Sequence, residues 1–323
     1  MTSFHTSDRH GYSVKFSPFL INQLAVATSQ LYGLAGGGTL YILEHFEDEV
    51  TEICQFQWSD GLFDVVWSPT TDNIVATASG DGSLQVWNVE KPKEKPVLVL
   101  HEHKNEIYSL DWGEKWNFHH LLSASWDGTA RLWDVNRTSS LTTFTDSSPN
   151  SFIYCANFSP LIANLISTVS TDGNLNLWNS LDFSGTSKPL MTIAAHEDAE
   201  VLCCEWNKFD RNVLVTGGSD GLIRGWDLRN LRGHVFELST DSERAVRRIS
   251  FSPHSSAYLA SANFDFTTRI WDINHNGECL ELLENHNEFV YGIDWNINHP
   301  NQLADCAWDS TVNVYNPKSL NDF

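Results

Sequence analysis

An aromatic residue followed by Asp or Asn recurs at nearly constant spacing along the 323-residue chain. The pairs are Trp87-Asn88, Trp133-Asp134, Trp178-Asn179, Trp226-Asp227, Trp271-Asp272 and Tyr315-Asn316, at successive spacings of 46, 45, 48, 45 and 44 residues. Leu43 lies 44 residues before Trp87 and ends a similar segment, so the chain contains seven units. This period accommodates four short strands per unit, which is typical of a propeller blade.

A turn signal lies six residues before each aromatic residue from Trp87 onward. Four of these turns carry Asp-Gly, namely Asp81-Gly82, Asp127-Gly128, Asp172-Gly173 and Asp220-Gly221. Asp and Gly tolerate positive φ and close a tight hairpin between two strands. Asp265-Phe266 and Asp309-Ser310 keep the acid but lose the glycine. We therefore expect those two turns to be of a type that does not depend on glycine.

The rest of each unit favours an all-β fold. Alternating or β-branched runs such as residues 74–78 indicate strands, and Ser-Pro follows several of them. Proline ends a strand because it has no N–H to donate to the ladder. No window shows a comparable helical period. The sequence predicts a single seven-bladed β-propeller over residues 1–323, with four antiparallel strands per blade.

The last unit is short. Only eight residues follow Tyr315, which is too few for a confident outer strand. We expect residues 1–8 to supply that strand, so that the two ends of the chain close the ring.

The net charge limits the classes of partner. The chain contains 20 Lys and Arg residues and 41 Asp and Glu residues, which gives a formal charge of −21. This field repels phosphate backbones and anionic lipid surfaces and attracts cationic partners. The sequence therefore argues against nucleic-acid binding and favours a basic protein segment as the ligand.

The chain shows no signal for a cofactor, a metal or catalysis. Its six cysteines form no C-x-x-C pair, which favours reduced thiols in a cytosolic protein over a disulfide framework or a zinc site. It contains no Gly-rich phosphate-binding loop and no Ser-His-Asp set outside the repeats. Residues 1–10 have no apolar core of a signal peptide, and no stretch is long enough to insert into a membrane. We expect a non-enzymatic protein in the cytosol.

The repeats resemble those of the WD-repeat family over the whole chain. That family often places a His before the innermost strand, and His103, His196 and His286 occupy this place. The resemblance implies a network in each blade from His to the turn Asp, with a strand Ser or Thr joined to the Trp. In the third blade this network would contain His103, Ser123 or Ser125, Asp127 and Trp133. The blades that begin near Gly11, Leu62, Ile153 and Val246 lack the His, so we expect their networks to be partial.

The resemblance also implies that the innermost strand of each blade begins on one rim of the central channel, beside the Asp turn. Aromatic and acidic residues are frequent at those positions. The predicted binding residues are the carboxylates Asp64, Glu106 and Glu200 and the aromatic residues Phe63, Tyr108, Trp126, Tyr154 and Trp308. Aromatic rings supply contact area and carboxylates select Arg or Lys, so this surface suits an amphipathic basic ligand. The alternative for any one ring is that it only packs between blades.

Longer segments resemble a narrower family, the receptors for the type-2 peroxisomal targeting signal (the seventh peroxins). They include Arg9-His10-Gly11-Tyr12, Asp60-Gly61-Leu62-Phe63-Asp64-Val65, Gly225-Trp226-Asp227-Leu228-Arg229-Asn230 and Ala304-Asp305-Cys306-Ala307-Trp308-Asp309. This resemblance implies a receptor that captures peroxisomal matrix enzymes in the cytoplasm and cycles to the peroxisomal membrane and matrix. It also implies a co-receptor, either the long form of the type-1 signal receptor or a fungal-type equivalent, and a membrane docking complex. We expect the receptor alone to be monomeric.

The family's signal is a short N-terminal segment: Arg or Lys, an aliphatic residue, five variable residues, His or Gln, and an aliphatic residue. In a helix, residues that are seven or eight positions apart lie on the same face, so the four defined residues of the signal share one face. A helix that binds through one such face is recognised by a groove on its receptor. The three carboxylates would then meet the basic residue and a protonated His, and the aromatic residues would contact the aliphatic side chains. The rival is another WD-repeat scaffold, such as an adaptor in a ubiquitin ligase or a chromatin assembly, with the same fold but a different peptide.

Overall fold

The computed structural model describes residues 1–47, 49–113, 118–145, 148, 151–182, 188–274 and 277–320. In this part of the chain, seven antiparallel sheets of four strands each form the blades of a β-propeller. The predicted all-β fold with seven blades is confirmed. Two short 3₁₀ segments lie at Leu31–Gly33 and Lys318–Leu320.

The blades follow one another along the chain, and within each blade the strands run from the channel outwards. Blade 1 contains β2 (His10–Phe16), β3 (Gln23–Ser29), β4 (Gly38–Phe46) and β5 (Glu49–Trp58). Blade 2 contains β6 (Leu62–Trp67), β7 (Ile74–Ser79), β8 (Ser83–Asn88) and β9 (Leu98–His101). Blade 3 contains β10 (Ile107–Trp112), β11 (His120–Ser125), β12 (Thr129–Asp134) and β13 (Ser140–Thr145).

The same order continues in the second half of the chain. Blade 4 contains β14 (Ile153–Phe158), β15 (Leu165–Ser170), β16 (Asn174–Asn179) and β17 (Met191–Ala194). Blade 5 contains β18 (Val201–Trp206), β19 (Val213–Gly218), β20 (Leu222–Asp227) and β21 (Phe236–Ser239). Blade 6 contains β22 (Val246–Phe251), β23 (Tyr258–Asn263), β24 (Thr268–Asp272) and β25 (Glu278–Leu283).

Blade 7 is built from both ends of the chain. Its inner strands are β26 (Val290–Trp295), β27 (Leu303–Ala307) and β28 (Thr311–Tyr315), and its outer strand is β1 (Thr2–His5). β1 pairs antiparallel with β28, with Thr2 opposite Val314 and His5 opposite Thr311. The ring of Phe4 packs edge-on against Tyr41 of blade 1, with ring centroids 5.8 Å apart. The N-terminal segment therefore closes blade 7 and also contacts the first blade.

The repeated aromatic residues form the core of each blade. Each of the six is at most 6% exposed. In five blades the indole N–H donates to a Ser or Thr hydroxyl ten residues earlier, at 2.8–3.0 Å; these acceptors are Thr77, Ser123, Thr168, Thr216 and Ser261. In blade 7 the hydroxyl of Tyr315 donates to Asp305 at 2.7 Å. The repeat thus encodes a buried aromatic residue and the acceptor for its polar atom.

The predicted histidine network of blade 3 is confirmed. His103 lies 2.9 Å from the Asp127 carboxylate and 2.7 Å from the Ser123 hydroxyl, which also accepts the indole N–H of Trp133. His196 makes the equivalent contacts to Asp220 and Thr216 in blade 5.

In the blades without the histidine, other donors replace the imidazole at three turn carboxylates. Within the described residues these donors do not also bond the strand hydroxyl that accepts from the Trp, so this part of the network is missing, as expected. Trp58 Nε1 donates to Asp81 at 2.9 Å, and the Ser148 hydroxyl donates to Asp172 at 2.7 Å. Arg269 Nη2 donates to Asp265 at 2.7 Å.

The two turns without glycine also differ from the prediction. Phe266 and Ser310 adopt φ of 72° and 66°, close to the 76–81° of the four turn glycines. The turn Asp explains why this conformation survives. Asp265 accepts hydrogen bonds from the backbone N–H and the hydroxyl of Thr267, and Asp309 accepts from the N–H of Thr311. The Asp therefore holds the turn without a glycine, although positive φ is an uncommon conformation for a residue as bulky as Phe266.

None of the helical segments in the described part of the chain has the length and apolar character that crossing a bilayer demands.

His286 in blade 7 differs from His103 in its charge state. Burial alone lowers the pKa of His286, but the carboxylates of Asp305 and Asp309, 2.9 Å and 3.0 Å away, outweigh burial and raise that pKa to about 10. For His103, burial dominates and lowers the pKa below its ordinary value of 6.5. The same position in the repeat therefore holds a charged imidazole in blade 7 and a neutral one in blade 3.

We expect deletion of residues 1–8 to lower the melting temperature by about 5 °C or more, because it removes the outer strand of blade 7 and the ring of Phe4. Thermal unfolding followed by circular dichroism measures this. An unchanged melting temperature would show that β1 does not stabilise the ring.

The two histidines predict opposite pH dependence of stability. The contribution of protonated His286 is fully present below its unfolded pKa of about 6.5 and is lost as pH rises through about 10. The contribution of neutral His103 is present above pH 6.5 and falls as the solution becomes more acidic. Urea unfolding of wild type, His286→Gln and His103→Gln across this range measures both differences. Parallel pH profiles for the two variants would contradict the assignment.

Candidate functional site

One face of the ring collects the starts of the innermost strands and the turns between the second and third strands. We call this the upper face. Six backbone hydrogen bonds of 2.9–3.0 Å join the two sets. They link Gly80 to Gly61, Trp126 to Glu106, Thr171 to Phe152, Ser219 to Glu200, Phe264 to Ala245 and Trp308 to Phe289. Because the pairing repeats in six blades, the acidic and aromatic residues at these positions share one surface.

Aromatic rings form a continuous arc across the upper face, which we call the aromatic belt. In order, it consists of Phe152, Trp126, Tyr108, Phe63, Tyr12, Trp308, Phe289 and Phe264. Consecutive ring centroids lie 4.5–5.7 Å apart. The arc visits every blade except blade 5. Offset and tilted rings at these distances attract one another, so the contacts stabilise the arc.

The belt has a buried floor and a half-buried rim. Tyr12 and Phe63 are 1% exposed, whereas Phe152 is 38% exposed. Tyr108, Trp126 and Trp308 are half-buried. Phe63, which the sequence placed among the contact residues, lies between Tyr12 and Tyr108 and supports their rings from below. The rim residues are the ones that offer apolar area to a ligand.

Two predicted carboxylates lie at one end of the belt. The hydroxyl of Tyr154 donates to Glu200 at 3.1 Å, and its ring lies 5.8 Å from that of Trp126. Burial and then the charge of Glu200 raise the pKa of Tyr154. Glu106 lies near Tyr108, whose pKa burial, Tyr291 and Glu106 all raise. Both glutamates are half-buried, and neither has an ion-pair partner among the described residues.

Asp64 is placed differently from the prediction. It is 2% exposed and lies in the channel, where it pairs with Arg248 Nη1 at 2.9 Å and accepts the backbone N–H of Leu110 at 2.8 Å. Burial alone raises the pKa of Asp64, but these donors outweigh it and lower that pKa. A carboxylate that is already neutralised and enclosed cannot receive a basic group from a ligand. Asp64 therefore braces blades 2, 3 and 6 and is not part of the contact surface.

Metal binding has no support from the geometry. In the part of the chain that the structure describes, no group of three or more His, Cys, Asp or Glu side chains is arranged so that it could hold a metal ion.

Comparison with known proteins identifies the family. The model of the WD domain, G-beta repeat, matches residues 43–88, 94–134, 187–227, 228–272 and 277–316. The peroxisomal targeting signal 2 receptor of Mus musculus is 42% identical, and the match covers 97% of this chain and 95% of the receptor. The chain belongs to the peroxisomal targeting signal 2 receptors, a family of WD40-repeat proteins.

Two further members of the receptor family match with similar coverage. The human peroxisomal targeting signal 2 receptor is 43% identical over 98% of this chain and 95% of its own length. The receptor of Saccharomyces cerevisiae is 32% identical over 98% of this chain and 99% of its own length. The similarity therefore extends over all seven blades, including residues 135–186, which the repeat model leaves unmatched.

The receptor's upper face contains an arginine to which sequence reasoning gave no role. Arg247 is 4% exposed, and its guanidinium lies 5.7 Å from the ring centroid of Tyr108 and 5.0 Å from that of Tyr291. Its Nη2 has no hydrogen-bond partner among the described residues, and the same holds for Trp126 Nε1. Buried donors of this kind usually find an acceptor. These two donors are enclosed beneath the rings of the upper face and have no acceptor there within the described residues.

The receptor also presents a strained loop at the edge of the belt in blade 1. Leu31 and Tyr32 have φ of 43° and 56°, a region that bulky residues rarely adopt. The ring of Tyr32 lies 5.3 Å from that of Trp308, and its carbonyl accepts the hydroxyl of Tyr12 at 2.8 Å. Leu34 next to it is 89% exposed. The loop therefore extends the apolar surface beyond the rings.

Several residues of the belt were not predicted as contacts, although they occupy the same repeat positions as those that were. They are Tyr12, Phe152, Phe264 and Phe289, together with Tyr291 behind them. Their position in the register was the available signal. The identity of a residue in the sequence does not distinguish an aromatic ring on the rim of the belt from one that packs in its floor.

Proposed function

We propose that this protein is a non-enzymatic receptor that binds the N-terminal type-2 peroxisomal targeting signal of matrix enzymes on its upper face. The observation that carries the proposal is the position of Glu106 and Glu200, half-buried and without ion-pair partners in the described chain, beside the aromatic belt. Acidic groups next to exposed rings suit a helix that carries basic and aliphatic residues on one face.

The charge of the signal matches this end of the belt. Its Arg or Lys is placed to reach Glu106 or Glu200, and a protonated His about two turns along the same helical face adds a second positive charge. A half-buried carboxylate forms a stronger pair than a fully exposed one because water screens it less. The overall charge of −21 accelerates the encounter with such a segment.

The apolar half of the signal matches the rim of the belt. Its two aliphatic residues lie on the same helical face and pack on Tyr108, Trp126, Tyr154 and Trp308. The floor formed by Tyr12 and Phe63 is already packed in the free protein, so binding orders little of the receptor.

The wider cycle of the receptor is part of the proposal. A co-receptor, either the long form of the type-1 signal receptor or a fungal-type equivalent, joins the complex and brings it to the docking complex of the peroxisomal membrane. The protein works in the cytoplasm as a monomer before that step and then cycles to the peroxisome. The strained apolar loop at Leu31 and Tyr32 lies beside the cargo site, where a second protein would contact both.

We expect Glu106→Gln and Glu200→Gln each to weaken binding of a type-2 signal peptide by about 5- to 100-fold, because each removes a carboxylate that pairs with a basic group, worth about 1–3 kcal/mol. Fluorescence anisotropy with a labelled peptide measures the affinity. Glu52→Gln is the matched control, since Glu52 is exposed on the outer strand of blade 1 and its loss changes the net charge equally.

Wild-type affinity in both variants, with folding intact by circular dichroism, would remove the two glutamates from the site. An equal loss in Glu52→Gln would indicate long-range attraction in place of a local contact. Pulldown from lysate separates the receptor from a scaffold: enrichment of peroxisomal enzymes with type-2 signals supports the proposal, and enrichment of ubiquitin ligase or chromatin subunits opposes it.

A further inference from the structure

Three cysteines line the central channel below the upper face. The channel encloses a cavity of about 640 Å³, whose walls include Cys155 of β14 and Cys203 and Cys204 of β18. These strands are the innermost ones of the neighbouring blades 4 and 5. The proposed ligand site does not use these thiols, so their arrangement requires its own explanation.

The sulfur atoms of Cys155 and Cys204 both contact the side-chain oxygen of Asn157. The sulfur of Cys155 lies 3.1 Å from Asn157 Oδ1, and the sulfur of Cys204 lies 3.3 Å from that oxygen. The distance between the two sulfur atoms is therefore at most the sum of these two distances. Cys155 Sγ also lies 3.7 Å from the backbone carbonyl oxygen of Cys204. The thiols face each other across the boundary between the blades.

The neighbouring Cys203 faces the opposite way, as the alternation of a β-strand requires. Its sulfur lies 3.7 Å from the carbonyl oxygen of Val246 in blade 6 and 3.9 Å from that of Gly217. Burial raises the pKa of the Cys203 thiol. Only one of the two adjacent cysteines is therefore oriented towards Cys155.

The pKa of the Cys155 thiol is lowered, whereas the pKa values of the other five cysteines are raised. The hydrogen bond from Cys204 is the largest of the effects that lower the pKa of Cys155 to about 7, and the charge of Arg248 adds to it. By contrast, burial raises the pKa of Cys54 to about 11 and also raises that of Cys279, the exposed cysteine. Since the thiolate is the nucleophile, Cys155 combines acidity with access from the channel.

We propose that Cys155 and Cys204 are a peroxide-reactive thiol pair that closes into a disulfide between blades 4 and 5. The Cys155 thiolate attacks one oxygen of hydrogen peroxide, the O–O bond breaks, and the hydroxide that leaves takes up a proton to become water. Cys204 then attacks the resulting sulfenic acid, forming the S–S bond and releasing a second water. Both sulfurs are oxidised, one peroxide is reduced, and the two thiol protons end in the two waters.

The modification would act close to the proposed cargo site without being part of it. Tyr154, whose hydroxyl donates to Glu200, precedes Cys155, and Glu200 lies just before β18. The disulfide would therefore join the two strands that begin beside these residues. The chemistry of the thiols is independent of which ligand binds above them.

Oxidation of the reduced, full-length protein with one equivalent of hydrogen peroxide tests the proposal. After digestion, mass spectrometry should find the peptides of Cys155 and Cys204 joined and two hydrogens lighter, and dithiothreitol should separate them. Cys203→Ser is the matched control and should keep the cross-link. Cys204→Ser should lose it and leave Cys155 as a sulfenic acid that dimedone labels; Cys204→Ala is the second variant, which checks that the loss follows from the missing sulfur.

Three results would overturn the proposal. One is a wild-type protein that stays folded and forms no Cys155 cross-link. The second is a cross-link that persists in Cys204→Ser and disappears in Cys203→Ser. The third is faster oxidation of the exposed Cys279 than of Cys155, which would mean that exposure and not acidity governs the reaction.

Discussion

Closure of the ring is the constraint on which the rest of the structure depends. Once β1 pairs with β28, the seven innermost strands surround one axis. Each of these strands ends in an aromatic residue, and the residue four positions before it lies at the same level along the channel. Those side chains meet at the channel mouth, where Tyr12, Phe63, Tyr108 and Tyr291 pack together. A residue's position in the repeat therefore decides its position on the upper face, and neighbours in space come from blades far apart in sequence.

Depth in the channel decides what each charged group does. Below the belt, the charges are paired: Asp64 with Arg248 at 2.9 Å, and Lys15 with Asp294 at 3.0 Å. Breaking such a pair leaves an uncompensated charge, so these groups stabilise the arrangement of blades. At the rim, Glu106 and Glu200 have no such partner within the described ranges. A carboxylate thus braces the blades inside the channel, and at its edge our proposal gives it a role in binding.

The sequence was sufficient for the fold and for the ring of candidate residues, because both follow from a repeat with a constant period. It identified Trp126, Tyr154 and Glu200, which the structure brings together at one end of the belt. It could not separate Asp64 from the other acids, because its partner Arg248 is 184 residues away and meets it only across the closed channel. Nor does a turn sequence reveal that Asp265 can hold Phe266 at positive φ without a glycine.

The most direct test of the account is the structure of the receptor bound to a type-2 signal peptide. The account predicts a helix lying across the upper face, with its basic residue within hydrogen-bonding distance of Glu106 or Glu200 and its aliphatic residues on Trp126 and Trp308. A peptide bound on the opposite face or at the circumference, with both glutamates facing solvent, would contradict it.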